Sequence, residues 1–191
     1  EDSLQARDKR QSGMSLQQKI TVNTYYTRSV NLERDVDSLD IIQSYIPTSR
    51  ALRTFSRITD TFKKSQAPRA WSLIGPYGSG KSSFSVFLAH LLSHSSLETT
   101  KAAQAILAKT DKTLARSFKT SVNKNEGYLK VLITGSPEPM ATRILHGLLL
   151  ATENFWEQRQ GKKPNIVSRL RAAAKKNEIP VSEVLDLIQK L

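Results

Sequence analysis

Between Gly75 and Ser82 the chain reads Gly-Pro-Tyr-Gly-Ser-Gly-Lys-Ser: two glycines bracket four residues, and Lys81 and Ser82 follow at once. An apolar run, Trp71–Ile74, enters this segment. A helical periodicity leaves it, with Phe84, Phe87, Leu88, Leu91 and Leu92 on one stripe. An extended segment, a tight glycine turn and a helix N-terminus in succession build a cradle for phosphate. Gly75 and Gly80 admit backbone angles closed to other residues, so the chain can wrap an anion closely. The N–H groups of Tyr77, Gly78, Ser79, Gly80 and Lys81 then converge at the positive end of the following helix. Pro76 has no N–H and stiffens the entry to the turn. The spacing sets the Lys81 ammonium against the β- and γ-phosphates of a nucleoside triphosphate and the Ser82 hydroxyl on Mg²⁺. Ser83 sits one residue off that metal position.

A second apolar, β-branched segment, Tyr128–Thr134, ends in Gly135-Ser136-Pro137-Glu138. Ser136 there reads as an N-cap and Pro137 as a first helical residue, opening a long helix with Ala141, Ile144, Leu145, Leu148 and Phe155 on one face. Strand, crossover helices, strand and helix predict an α/β fold with a parallel sheet and right-handed connections. Ligands in such sheets lie at the carboxyl ends of strands, which would bring Thr134, Ser136 and Glu138 toward the phosphate. Glu138 is thus a candidate for holding Mg²⁺ through water or positioning a catalytic water. A first-turn acid complementing the helix dipole is the simpler reading.

Two helices flank the loop's own. Residues 49–64 place Ala51, Phe55, Ile58 and Phe62 on a narrow apolar face, with Arg50, Arg53, Arg57 and Lys64 opposite. Those cations read either as the solvated side of an amphipathic helix or as a stripe for DNA or RNA, the former being simpler. The turn Ile46-Pro47-Thr48 before them is a candidate neighbour of the nucleotide base. Ser95-Ser96-Leu97-Glu98 has the form of a capping box, and Asp111 that of an N-cap for another helix to about Thr120.

Residues 1–17 are polar without periodicity and read as a disordered leader, with Met14 a plausible start. Lys19–Tyr26 alternates as a short strand or extended arm. Residues 18–158 form the nucleotide-binding domain in this reading, and residues 159–191 a basic linker with two C-terminal helices. Those helices suggest either a DNA-reading pair or ordinary helix packing, and packing is preferred because no third helix accompanies them. The chain ends on a periodic helix, the pattern of a piece of something longer.

With 29 Lys and Arg against 17 Asp and Glu, the net charge is +12. That excess favours polyanionic partners, nucleic acid before acidic membrane. No cysteine is present, which excludes disulfides and thiolate metal sites. His90 and His94 lie four apart, a metal-compatible spacing, but with no acidic partner nearby they read as a helix-surface pair. No apolar stretch is long enough to span a bilayer, and no signal core is evident, so a cytoplasmic protein without membrane contact is expected.

Hydrolysis of a triphosphate normally needs an acidic pair after an apolar strand. No segment after the loop has it; Glu183-Val-Leu-Asp has the residue types at helical spacing. The full signatures of GTPases and small-molecule kinases are also missing, Asn123-Lys124-Asn125-Glu126 being near the GTPase pattern but placed before its strand, so both stay as weaker alternatives. From Ser72 to Leu92 the chain resembles the ATP-binding segment of AAA-type P-loop ATPases. The likeness is nearest to large bacterial ones of the STAND and origin-recognition-like kind, some encoded in phage-defence clusters. This resemblance implies a partial three-layer P-loop sandwich with added helices, binding ATP and Mg²⁺ through Gly75–Ser83. It also implies ATP hydrolysis by the complete protein, with Lys81 catalytic, and assembly as a homo-oligomer or larger defence complex. An alternative is a nucleotide-gated nucleic-acid-binding module without efficient hydrolysis.

Overall fold

The structure, a computed structural model, describes residues 29–64, 66–67, 69–122, 127–158, 164–176 and 179–189. The leader, the Lys19–Tyr26 arm and residues 159–163 of the linker expected above lie outside these residues. Helices account for nearly all regular structure: α1 Leu32–Asp35, α2 Leu39–Gln43, α3 Ser49–Lys63, α4 Lys81–Leu92, α5 Glu98–Thr110, α6 Lys112–Ser121, α7 Met140–Gln158, α8 Asn165–Ala174 and α9 Val181–Gln189. No helix of the described residues is long and apolar enough to cross a membrane.

Short polar side chains start several of them. Asn31 accepts from Glu33 N and Arg34 N, both at 3.0 Å; Thr48 accepts from Ala51 N at 3.2 Å; Asp111 accepts from Leu114 N at 2.9 Å. Each satisfies amide groups that the first turn leaves unpaired. Two expected starts differ. The Ser95 capping box does not form: α5 begins at Glu98 after Leu97 with no side-chain cap. Ser136 does not cap α7, which begins at Met140; its hydroxyl accepts from Glu138 N at 3.3 Å in the preceding turn.

Helices α1–α6 enclose a first apolar core around Phe55, Phe87, Leu91, Leu107 and Phe118. Aromatic rings join its layers. Phe55 stacks on Phe84 at 4.8 Å and 9°, and meets Phe118 edge-on at 6.1 Å. A second core forms where α8 and α9 pack on α7 through Leu145, Leu148, Leu170, Ala173, Val184 and Leu187. The C-terminal pair therefore packs on α7 through one apolar face, while Val181, Leu185 and Ile188 of α9 stay exposed.

The expected parallel sheet is not formed, and the α/β sandwich reading is corrected accordingly. Among the described residues there is no strand, only one isolated parallel bridge between Ser93 and Tyr128. Residues 71–80 are exposed throughout, with Ile74 91% accessible. The 128–134 segment has no regular structure beyond the Ser93–Tyr128 bridge: Tyr128 N donates to Leu92 O at 2.9 Å, and past it side chains hold the segment. Thr134 N donates to the Glu33 carboxylate at 2.7 Å, which Arg143 also binds at 2.6 Å; Lys130 reaches Asp37 at 2.6 Å. Val131 packs on the second core. β-rich composition records fitness for a pleated, half-buried surface; without an adjacent strand it yields no strand. Gly127, at φ +98, lets that segment start against α4, since a Cβ there would meet Ser93 O at 2.2 Å.

His90 and His94 are buried, not a surface pair, and no group of three metal-binding side chains occurs among the described residues. His90 Nε2 meets Val36 O at 2.5 Å, while Nδ1 faces Lys130 Nζ at 3.5 Å. Donation to a carbonyl on one side and acceptance from an ammonium on the other select the neutral ring. Burial first, then the Lys130 charge, push His90 down to about 4 from an ordinary value of 6.5. Because the folded value is depressed, the unfolded chain binds more protons between those two values, so stability falls as pH falls through that window. A loss of about 2 kcal/mol between pH 7 and pH 5 is expected from the linkage relation. Urea unfolding at both pH values, compared with His90→Gln, checks it; an equal pH dependence in the variant would assign the effect elsewhere.

Candidate anion cradle at the start of helix α4

The Gly75–Ser83 segment turns back on itself through two glycines at positive φ, Gly78 at 75° and Gly80 at 79°. An L side chain is strained at either. Gly80 is also the N-cap of α4, and no side chain caps that helix. Within the turn, Ser79 N donates to Pro76 O at 3.4 Å, the one backbone bond between loop residues among the described contacts. The first-turn amides of a helix that lacks a cap are strong donors at the positive end of its dipole. Gly75 serves close approach instead: a Cβ there would come 3.1 Å from Ser79 Oγ.

Lys81 does not extend into solvent. Its Nζ donates to Gly75 O at 2.9 Å and Pro76 O at 2.7 Å, with Ser79 Oγ at 3.5 Å. The ammonium thereby stays over the mouth of the turn, on the first residue of α4. Tyr77 is 94% exposed at the rim, and its hydroxyl lies 3.1 Å from Ser29 Oγ.

This turn forms one wall of a cleft of about 300 Å³. Gly75, Pro76, Ser79, Gly80 and Lys81 face it from the loop, together with Ser83 from α4. Across from them stand Tyr45, Ile46 and Thr48 from the α2–α3 connection and Arg50 from the first turn of α3, with Leu73 and Ile74 beside them. The Ile46-Pro47-Thr48 turn is therefore brought to the loop, as its sequence position before α3 suggested. Thr48 orders the approach by capping α3, and Tyr45 is held by stacking on Phe87 at 4.3 Å. Ile46 is 80% exposed, so the cleft has an apolar flank and a donor-rich floor.

Other expected residues divide. Ser83 lines the cleft and Ser82 is not among its lining residues, the reverse of the motif's metal assignment. Consecutive helical residues differ by about 100° in direction, so the two hydroxyls cannot share one heading. Glu138, Ser136 and Thr134 do not reach the cleft; without a sheet their segment has no strand end beside the loop. The cations of α3 do not form one stripe. Arg50 turns to the cleft, Arg57 lies over the Trp71 ring at 5.6 Å, Arg53 is exposed, and Lys64 falls beyond the last helical turn. The place of Arg50 escaped the sequence reading. Its position two residues after the Thr48 cap was the available signal.

The helices and the site define a helical protein bearing a cleft with a glycine-rich, lysine-covered loop on one wall and an apolar flank. No family model, characterised protein or solved structure matches the chain.

Proposed function

We propose that the chain binds a nucleoside triphosphate with Mg²⁺ in the Gly75–Ser83 cleft, ATP by the resemblance of residues 72–92 to AAA-type ATPases. One observation carries this reading: an uncapped helix start, Lys81 and the exposed Ile46 and Ile74 side chains all face one cleft. Its size is at the lower end of the range for small-molecule sites, about 300–1,000 Å³. Loop amides and Lys81 take the phosphates, Arg50 adds a second cation, and the Tyr45–Ile46 side receives the base. Magnesium neutralises phosphate charge and needs few protein ligands, for which the Ser83 hydroxyl, the one that lines the cleft, is the candidate.

The wider reading is an ATPase module of a larger machine acting on nucleic acid or in defence. The alternative, a nucleotide-gated binding module with little turnover, is favoured by the composition of the cleft. Among the described lining residues none is Asp or Glu, and water activation in phosphoryl transfer relies on such a group or an equivalent.

Titration calorimetry with Mg·ATP tests the proposal. Saturable binding with Kd between about 1 μM and 1 mM is expected, displaced by ADP and not by adenosine, because the phosphates supply most of the contacts. Equal competition by adenosine, or no saturation, would overturn it. Arg50→Ala is expected to weaken Mg·ATP about tenfold, the worth of one charge-assisted hydrogen bond. Ile46→Ala should lower affinity and blunt the preference for one base; unaltered values would remove the base from that wall.

A further inference from the structure

We propose that the groove between α5 and α6 is a second binding site, for the phosphodiester backbone of nucleic acid. It is an open groove of about 560 Å³ on the outer surface of the helical pair. Four cations line it: Lys101 from α5, and Lys112, Arg116 and Lys119 from α6. All four are exposed, and none is in an ion pair with a described residue. The floor is small, with Ala105 and Ala108 facing Ala115.

Packing decides why these residues share a surface. Ala103 and Leu107 of α5, with Leu114 and Phe118 of α6, are buried in the first core and fix which side of each helix faces outward. Lys112, Arg116 and Lys119 then fall at i, i+4 and i+7, one face of α6, spanning about 10 Å along its axis. None of the described Asp or Glu residues lines the groove. Asp111 caps α6 through Leu114 N, and Glu98 belongs to the first turn of α5.

Charge complementarity selects the occupant. A run of unpaired cations along a groove matches a ligand whose negative charge repeats, and the chain as a whole carries +12. A membrane surface fits poorly, because interfacial helices insert large apolar side chains and this lining offers only alanine. A protein partner would be expected to find aromatic or aliphatic anchors, also missing from the lining. The α3 cations compete less well, since Arg50 and Arg57 are turned to the cleft and to Trp71. With phosphate contacts and no base-reading aromatics, binding here is insensitive to sequence and steeply dependent on salt. The assignment is independent of the nucleotide reading.

The test is fluorescence anisotropy of the 191-residue chain, without nucleotide, on a labelled random-sequence duplex and the matching single strand across a KCl series. The triple variant Lys112→Gln, Arg116→Gln, Lys119→Gln is expected to bind at least about tenfold more weakly near 0.1 M salt. Its slope of log K against log salt should be shallower by about 2 to 3, the release expected for three phosphate contacts. Lys112→Arg with Lys119→Arg should retain affinity, which separates charge from shape. Circular dichroism melting of each variant checks that the exposed substitutions leave the fold intact. Unchanged affinity and slope in the triple variant would overturn the assignment. So would a loss that follows Arg53→Gln with Arg57→Gln instead, or binding to phosphatidylserine vesicles with none to nucleic acid.

Discussion

Lys81→Ala is expected to abolish Mg·ATP binding at concentrations that saturate the parent chain, a loss of about a hundredfold or more. The ammonium supplies charge-assisted hydrogen bonds to phosphate oxygens, each worth about 1.5–3 kcal/mol, and two such bonds account for that factor. The substitution also removes the bonds from Nζ to Gly75 O and Pro76 O, so the mouth of the turn loses its brace. Both effects act on the cleft and neither on the core, because the Nζ contacts are exposed. Calorimetric titration beside thermal melting separates them: binding disappears while the melting temperature stays close to that of the parent. Lys81→Arg is not expected to rescue binding, since a planar fork cannot replace a compact ammonium in the same space. Parental affinity in Lys81→Ala would remove the nucleotide reading.

The largest stability effect is expected at Phe55. Its side chain is fully buried and contacts three rings: Phe84 at 4.8 Å, Phe87 at 5.8 Å and Phe118 at 6.1 Å. Phe55→Ala removes the transfer energy of the ring and leaves a cavity between α3, α4 and α6, a cost of about 3–5 kcal/mol. Urea denaturation should show the midpoint falling sharply. Because Phe84 belongs to the first helical turn after the cradle, the same variant should also weaken Mg·ATP wherever it remains folded. Phe62→Ala, at a half-buried position, provides the comparison and should cost less. A loss below about 1 kcal/mol at Phe55 would show that the three helices are joined elsewhere.

The same contacts explain what was legible from residues. The apolar stripes of α3 and α4 emerged at their expected places, and so did the Asp111 cap, since helical periodicity and capping are local properties. The burial of His90 was hidden. Its helix is packed on more than one side, by α1, α2 and α5 together with the 128–134 segment, and a periodic pattern identifies only the main buried face. The Ser95 box failed because α5 starts later than the spacing implies: Leu97, which has no polar side chain, holds the N-cap, and Glu98 is already the first helical residue.

The sequence by itself determined helices α3 to α9, apart from the starts of α5 and α7, together with the glycine turn; α1 and α2 were not read from it. Glycines at positions 78 and 80 permit the positive φ angles, and Lys81 follows on the first residue of a helix. These outcomes need only neighbours along the chain. Tertiary structure alone decided that Trp71–Ile74 and Tyr128–Thr134 form no sheet, since a strand exists only through a partner backbone. It also decided that Ile46 and Arg50 meet the cradle and that α5 and α6 align their cations, because long-range packing orients each helix about its axis.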